Sequence, residues 1–346
     1  MADKYDKPLR STLLGNRQSK PPVWMMRQAG RHLPEYLELR ERAKDFLDFC
    51  YTPSLATEAT LQPIRRYGMD GAILFADILL ILDAMGLDVR FEKGVGPLVQ
   101  QINAPEDLKN VPLTQVADRL SPVYETVSRV KANLPDETTL IGFAGSPWTV
   151  ALYALEGRGK TDKSFSRGWA HGRSEDLSEV LTIIADASAH YLARQVEAGA
   201  DVLMLFDSWA EGLPSDIFKE IIIAPTKYLI KKLRDLGVSV PIIGFPRGAG
   251  AMLPVYVEET GVNGVGLDTA AVPEFINSSL PKDFPVQGHL DPLLLIEGGK
   301  RLDKRVETLI DAYSDRPHIF NLGHGVLPQT PIKHVERVLE IIRGNA

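Results

Sequence analysis

The chain has 346 residues, a formal net charge of −6 at pH 7, 24% charged residues and a single cysteine, Cys50. The length fits two domains or one large α/β barrel, and the net negative charge argues against a general attraction for nucleic acid. One cysteine cannot form an intrachain disulfide, which is typical of a reducing compartment. No apolar stretch reaches membrane-spanning length and the N-terminus lacks the apolar segment of a signal peptide, so we expect a cytoplasmic protein without membrane association.

Short apolar segments alternate with longer helical patterns along the chain. The predicted strands are residues 23–26, 71–76, 139–143, 202–206, 240–245, 264–267, 285–287 and 319–322. The predicted helices are residues 53–67, 122–132, 174–198, 214–236, 272–277, 301–313 and 331–343. Asp176 and Glu179 at the start of the longest helix have the spacing of a capping box. Nearly all-apolar strands with helix-length connections predict a parallel sheet that is buried on both faces.

Eight such strands predict an α/β fold, a single-domain (β/α)8 TIM barrel over residues 1–346, with residues 1–10 as a flexible N-terminal arm. A doubly wound sheet is the alternative, but no Gly-x-Gly-x-x-Gly follows the first strand. Residues 91–113 form an expected insertion before the third strand. Within it, residues 95–98 and 103–106 have the composition of turns.

The first predicted strand runs directly into two arginines, Arg27 and Arg31, with Gly30 just before the second. A first helical turn would place both arginines on one face, and a tight turn at Gly30 is the alternative. In either geometry two guanidinium groups, each suited to bind a carboxylate or a phosphate, follow a buried strand. The competing interpretation is that they are surface arginines paired with Glu35 and Glu38.

Polar residues also follow the other predicted strands, and in a TIM barrel these strand ends meet at one mouth. They are Asp77, residues 145–148, Asp207, Ser208, residues 246–248, Asp268, residues 289–291 and residues 323–325. Asp77, Ser208 and Asp291 could instead cap the helix that follows, and we favour this interpretation for Asp291. His324, between two glycines, could belong to a phosphate-binding turn.

Residues 142–157 combine a glycine- and proline-shaped turn with the start of a helix. Thr149 and Tyr153 are four residues apart on that helix, so Tyr153 lies either near the mouth or in the core. Residues 158–173 are rich in glycine, serine and basic residues. They could form a mobile basic lid or a plain exposed loop.

Residues 22–31 and 142–157 resemble, position by position, the two signature motifs of the uroporphyrinogen decarboxylase family. Residues 75–79 and 321–326 resemble further blocks of that family, and the similarity extends from about Pro8 to the last helix. The resemblance implies a single-domain TIM barrel, a homodimer with facing clefts, and no cofactor or metal. It also implies a reaction that removes the four acetate carboxyl groups of uroporphyrinogen III and gives coproporphyrinogen III in haem biosynthesis.

The resemblance implies that Asp77 and Arg27 are catalytic. The implied substrate-binding residues are Arg27, Gln28, Ala29, Gly30, Arg31, Asp77, Tyr153, Ser208 and His324. The pyrrole ring can act as the electron sink after protonation at the ring carbon that bears the acetate, so the site needs guanidinium groups, a proton donor and an anion. Asp77 is the expected anion. The donor is Arg27, a water molecule or a substrate carboxyl group, and Phe143 and Phe206 are expected to line the macrocycle.

Two other functions are compatible with parts of this pattern. A cobamide-dependent methyltransferase of similar fold would need a zinc site, but Cys50 has no His-x-Cys pattern around it. A tetrapyrrole carrier would need the arginines but not Asp77. We expect a small-molecule substrate and neither a nucleic-acid nor a membrane partner.

Overall fold

The computed structural model describes residues 7–92, 94–109, 111–159 and 161–344. Its main sheet has seven parallel strands, in the order β1-β4-β5-β6-β7-β8-β9, beside a separate antiparallel pair, β2-β3. The strands are β1 Gly71–Ile73, β2 Val89–Glu92, β3 Gly96–Val99, β4 Thr139–Gly145, β5 Val202–Asp207, β6 Ile242–Pro246, β7 Gly264–Gly266, β8 Val286–Gln287 and β9 His318–Ile319.

Helices follow most of the strands and cover the outside of the sheet. The helices are α1 Pro8–Leu13, α2 Pro34–Arg40, α3 Phe46–Tyr51, α4 Pro53–Tyr67, α5 Leu80–Ala84, α6 Leu113–Arg119, α7 Ser121–Asn133, α8 Pro147–Glu156, α9 Ser164–Gly172, α10 Ser174–Glu197, α11 Ser215–Phe218, α12 Ala224–Asp235, α13 Leu253–Thr260, α14 Pro273–Ser279, α15 Pro292–Glu297, α16 Gly299–Ala312 and α17 Ile332–Arg343. In the described part of the chain, none of them has the length and apolar character that a bilayer crossing requires.

The segment that precedes Arg27 joins the two edges of the sheet. Val23 forms a parallel bridge with Phe320, next to β9, and its carbonyl accepts a hydrogen bond of 2.8 Å from the backbone N–H of Asp70, next to β1. The sheet therefore closes as a TIM barrel, as predicted. The predicted strand 23–26 contributes a single bridge, because side-chain amides take over the N–H groups of its second half: Gln28 accepts from Met25 N, and Asn321 accepts from Met26 N.

The predicted insertion before the third long strand contains the antiparallel pair β2-β3 and a short 3₁₀ helix, Pro105–Leu108. The interpretation of residues 95–98 as a turn is wrong, since β3 begins at Gly96. Pro97 is tolerated there because a two-stranded ladder has free edges that need no N–H donor. The turn prediction for residues 103–106 is confirmed at residues 103 and 104, which are bends, whereas residues 105 and 106 begin the 3₁₀ helix.

Two helix predictions need correction. The long helix α10 has no capping box, because Asp176 pairs with Arg173 and Glu179 pairs with Lys109 across the surface. The predicted helix 214–236 is divided by a π turn, Lys219–Ile223. Pro225 follows that turn and has no N–H to donate to the carbonyl four residues earlier, which disfavours a regular α-helix at this point.

The N-terminal region is more ordered than expected from Lys7 onward. Helix α1 buries Leu9 completely, and Lys7 donates to Asp201 at 2.6 Å. Residues 1–6 of the expected flexible arm lie outside the described residues. The segment 158–173 is not a plain loop, because α9 occupies most of it and buries Trp169; Lys160 lies outside the described residues.

Candidate active site at the carboxyl ends of the strands

Arg27 begins the site with an unusual backbone. Its φ is +60°, a left-handed conformation that is uncommon for residues other than glycine and that clusters at functional sites. Two glycines make room for Arg27, one beside its backbone and one beside its side chain. A Cβ on Gly30 would lie 2.8 Å from the carbonyl oxygen of Arg27, and a Cβ on Gly325 would lie 2.4 Å from its Cδ. The turn at Gly30, rather than a helical turn, therefore follows the first predicted strand.

The side chain of Arg27 lines a concave mouth. Part of the side chain is exposed to solvent. The protein atoms around the guanidinium nevertheless exclude much of the water from it, and this burial lowers its pKa. The charge of Asp77 favours the protonated guanidinium, whereas the charges of Arg31 and Arg247 oppose it. Asp77, Arg31 and Arg247 come from three strand ends, and the structure brings each of them into electrostatic range of Arg27, as expected for a barrel mouth.

Arg31 is exposed beside Arg27, and its predicted alternative partner is engaged elsewhere. Glu35 accepts two hydrogen bonds from Arg66, at 2.6 and 2.9 Å. This pairing lowers the pKa of Glu35 and removes it as a partner for Arg31. The interpretation of Arg31 as a residue held by surface acids therefore loses one of its two proposed partners.

Asp77 follows β1 and faces the opposite charge of Arg27 without contacting it directly. Its Oδ1 accepts a hydrogen bond of 2.9 Å from Leu79 N at the start of α5, so the carboxyl group also serves the helix start that we considered as an alternative. Burial raises the pKa of Asp77 to about 6, while the bond from Leu79 and the charge of Arg27 oppose this rise. The carboxyl group is therefore mainly ionised at pH 7.

Tyr153 lies near the mouth rather than in the core. It is partly buried, burial raises its pKa, and both Asp77 and Arg27 are close enough to influence it. Its ring stands edge-on to Trp209 at 6.4 Å. Phe143 and Phe206, which we expected to line a macrocycle, form an edge-to-face pair with centroids 5.5 Å apart.

Ser208 and His324 lie at two further strand ends. The carbonyl of Ser208, just after β5, accepts a hydrogen bond of 3.3 Å from Arg247. His324 follows β9, and burial, together with the charges of Arg27 and Arg247, lowers its pKa to about 4. It is therefore neutral at pH 7, and its buried Nδ1 has no hydrogen-bond partner among the described residues. A neutral imidazole can donate to or accept from a ligand without adding charge.

The three residues that follow Arg27 differ in what they expose at the mouth. They are Gln28, Ala29 and Gly30. The side chain of Gln28 is buried, accepts from Met25 N and donates to the carbonyl of Gly71 at 2.9 Å. Its own N–H donates to the Met25 carbonyl. Gln28 therefore closes the barrel, and Ala29 and Gly30 are the partly exposed members of this turn.

Three more residues lie at this end of the barrel: Asp207 and Arg247, which the sequence placed at strand ends without a role, and Glu211, which it did not indicate. Asp207 is completely buried, accepts a hydrogen bond of 2.5 Å from Thr149, and has its pKa raised to about 7 by burial. Arg247 follows β6 and Glu211 lies 3.6 Å from it. The position of Asp207 and Arg247 directly after a buried strand was the available signal, whereas nothing local in the sequence marks Glu211.

Other strand-end residues have structural roles. Asp291 caps α15 by accepting from Leu293 N at 2.9 Å, which confirms the favoured interpretation. Asp268 accepts from Gly248 N at 2.7 Å and from Ala270 N at 2.8 Å, and so shapes two loops. His289 is buried and hydrogen-bonded to Tyr313 at 3.0 Å.

The donor set does not fit a zinc site of the methyltransferase type. Cys50 is buried in α3, and burial raises the pKa of its thiol well above the usual range, which disfavours the thiolate that binds zinc. Across the described ranges, no three His, Cys, Asp or Glu side chains are grouped closely enough to hold a metal ion.

Comparisons with known proteins show the family of the chain and a likeness of fold. The uroporphyrinogen decarboxylase (URO-D) family matches residues 4–344. A uroporphyrinogen decarboxylase of Hyphomonas neptunium is 75% identical over 338 residues, 98% of each chain, and one of Maricaulis maris is 51% identical over 346 residues, 100% of each chain. A solved methyltransferase from Methanosarcina mazei superimposes with a TM-score of 0.79 over 99% of each chain at 18% identity, a likeness of fold alone. The chain belongs to the uroporphyrinogen decarboxylase family.

Proposed function

We propose that this protein decarboxylates the four acetate side chains of uroporphyrinogen III to give coproporphyrinogen III and carbon dioxide in haem biosynthesis. The observation that supports this most is the Arg27–Asp77 arrangement. The two opposite charges perturb each other's pKa but are not joined by an ion pair within 4.0 Å. The carboxylate therefore remains available for pyrrole N–H groups, and the guanidinium for a substrate carboxylate.

The reaction needs an electron sink, which the substrate itself can supply. Protonation of the acetate-bearing ring carbon, as first expected, would leave the departing electron pair unconjugated with the cation. The proton must add to the neighbouring α-carbon, which spreads the positive charge over the ring nitrogen and the acetate-bearing carbon. Cleavage of the bond to the carboxylate then releases carbon dioxide and forms an exocyclic methylene. Protonation of that methylene and loss of the ring proton restore a methylpyrrole.

The residues at the mouth match the requirements of these steps. An ionised Asp77 stabilises the transient positive charge of the ring, which is absent in the substrate, and so favours the transition state over the ground state. Arg27 and Arg31 orient carboxylate arms, and Tyr153, Ser208 and His324 supply hydrogen bonds to them. A guanidinium is a poor acid at neutral pH. We therefore assign the proton to a water molecule or a substrate carboxyl group that Arg27 positions.

The direct test is anaerobic incubation of the purified protein with uroporphyrinogen III, followed by oxidation and chromatography of the porphyrins. Successive loss of carboxyl groups down to the tetracarboxylic product is expected. Tight binding without any product would favour the alternative of a tetrapyrrole carrier. Absence of decarboxylation together with zinc-dependent methyl transfer to or from a corrinoid would favour the methyltransferase alternative.

We also propose, on the resemblance of the sequence to the family, that the protein is a single-domain homodimer of the cytoplasm that needs no cofactor. Light scattering of the purified protein checks the dimer. Cell fractionation checks the location.

A further inference from the structure

Around the barrel, Arg247 lies opposite the two arginines of the first turn. The eight wall positions run from the 22–24 segment through β1, β4, β5, β6, β7 and β8 to β9. Arg27 follows the first position and Arg247 follows the fifth, four steps away in either direction. A ligand that fills the mouth is therefore bordered by guanidinium groups on two facing walls.

The backbone holds Arg247 firmly at its strand end. Its N–H donates to the Asp207 carbonyl at 3.0 Å, and the next N–H, that of Gly248, donates to Asp268 at 2.7 Å. Its guanidinium donates to the carbonyl of Ser208 at 3.3 Å, and 39% of its side chain is exposed. The charge of Arg247 lowers the pKa of both Arg27 and His324, in agreement with a position facing the mouth.

Glu211 is positioned as an internal substitute for a ligand carboxylate. Its Oε2 lies 3.6 Å from Arg247 Nη1 and its Oε1 lies 3.6 Å from Lys163 Nζ. Oε2 is buried and makes no hydrogen bond within the described ranges. Gly248 permits this approach, since a Cβ there would lie 2.4 Å from the Cβ of Glu211. The carboxylate is thus near two cations but poorly bonded to either.

We propose that Arg247 binds a propionate of the substrate on the wall opposite Arg27 and Arg31, and that Glu211 competes for Arg247 in the free protein. This inference rests on the proposed function. The same site must accept four successive substrates whose acetates decrease in number. Arg247 follows β6, three wall positions from β1, which leads to Asp77. A guanidinium held there keeps its contact through all four steps only by binding an arm that is not removed, which is a propionate.

The test replaces Arg247 and Glu211 one at a time and compares the steady-state kinetics of the variants. Arg247→Gln is expected to raise KM about tenfold, within the range for one charged hydrogen bond, with kcat changed less than about threefold. Arg247→Lys should recover part of the loss. Glu211→Gln is expected to lower KM about threefold, because it removes the competitor. Arg129→Gln, which removes a guanidinium paired with Glu125 on the outer helix α7, serves as the charge-matched control and should not change KM.

The signs of these effects decide the outcome. If the pair had only a structural role, Arg247→Gln and Glu211→Gln would both raise KM, and that result would overturn the inference. An unchanged KM for Arg247→Gln would also overturn it. The KM measurement is repeated with the pentacarboxylic intermediate. This intermediate keeps all four propionates and has only one acetate left. An equal rise in the KM of Arg247→Gln for both substrates supports the propionate assignment. A rise in KM for uroporphyrinogen alone overturns it. Failure of the wild-type protein to turn over either substrate would instead refute the proposed function.

Discussion

Thr149 donates a hydrogen bond of 2.5 Å to the carboxyl group of Asp207, and this bond ties α8, which carries Tyr153, to the end of β5, which carries Ser208. Asp207 is completely buried, and burial raises its pKa to about 7. Its other oxygen has no hydrogen-bond partner in the described part of the chain. The two elements that carry the proposed substrate-binding residues Tyr153 and Ser208 are thus held together by a carboxyl group that is half protonated near neutral pH.

This relationship predicts a pH-dependent stability. The folded-state pKa of Asp207 lies above its unfolded value, so the protonated form favours folding and its contribution is lost as the pH rises through about 7. Between pH 6 and 8 we expect a loss on the order of 1 kcal/mol in the free energy of unfolding from this group. Urea unfolding at both pH values measures it. In Asp207→Asn this component of the pH dependence should disappear; an unaltered dependence would assign it to another group.

A second prediction concerns the contact between Gly325 and Arg27. A Cβ at residue 325 would overlap the Cδ of Arg27 at 2.4 Å, so Gly325→Ala must displace the guanidinium. We expect kcat/KM to fall about 10- to 100-fold, comparable with the loss of one charged transition-state contact, while the thermal midpoint changes little. Gly168→Ala is the control, because a Cβ there meets nothing within 4 Å in α9. Normal kinetics in Gly325→Ala would mean that the position of Arg27 is not critical.

Apolar segments allowed most of the barrel to be predicted from the sequence. Strands such as β4 and β5 are buried along nearly their whole length, so an unbroken apolar run identifies them. Because parallel strands present their carboxyl ends together, the same pattern predicted that Arg27, Asp77 and His324 would share one mouth, whereas for Tyr153 it left the mouth and the core open. The strand bounds were less accurate, because hydrogen-bond partners that are distant in sequence decide where a ladder ends.

What could not be predicted depends on contacts between distant segments. The position of the Arg27 side chain requires the absence of a Cβ at Gly325, almost three hundred residues later in the chain. Likewise, the side chain of Gln28 closes the barrel by donating to the carbonyl of Gly71, and no local pattern in the sequence indicates this role. Gly96 and Pro97 suggested a turn from composition, but pairing with β2 makes them a strand.

For Arg31 we expect the shape of the guanidinium, and not only its charge, to matter. Arg31→Lys keeps the positive charge but loses the planar fork that binds a carboxylate through two bonds. Transition-state binding should weaken by about 1–3 kcal/mol, measured as kcat/KM. Arg66→Lys is a nearby control, because Arg66 binds Glu35 rather than facing the mouth. If Arg31→Lys had wild-type kinetics, Arg31 would be a surface residue without a role in substrate binding.

Metal removal should leave the activity unchanged. The basis is the donor set: Cys50 is a buried thiol with a raised pKa, and the described residues contain no group of three metal-binding side chains. Exhaustive dialysis against a chelator, followed by the uroporphyrinogen III assay, provides the measurement. Activity that is lost on dialysis and restored by zinc would contradict this expectation.

The pH profile of the reaction should reflect Asp77. Burial raises the pKa of its carboxyl group to about 6, so the anion is lost as the pH falls through that value. We expect kcat/KM to decrease about tenfold per pH unit well below pH 6. A profile that stays flat between pH 5 and 7 would show that the ionisation of Asp77 does not control the reaction.

Replacement of the same carboxylate separates the decarboxylase from a tetrapyrrole carrier. Asp77→Asn keeps an oxygen that can accept from Leu79 N but removes the negative charge. If that charge stabilises a ring that is cationic only during the reaction, kcat should fall on the order of 100- to 1,000-fold, about 3–4 kcal/mol, whereas substrate binding changes little. The thermal midpoint at pH 7.5 should be unchanged or higher, because a buried group with a raised pKa destabilises the fold when it is ionised.

Asp291→Asn makes the same chemical change at the cap of α15 and is expected to leave kcat unchanged. The kcat and the thermal midpoint are therefore measured together for both variants. A folded Asp77→Asn protein with near-normal kcat would refute stabilisation of the ring by charge, since the carboxylate would then be dispensable to the chemistry. An Asp77→Asn protein that unfolds at much lower temperature, beside a stable Asp291→Asn control, would show that Asp77 acts mainly through its bond to the start of α5.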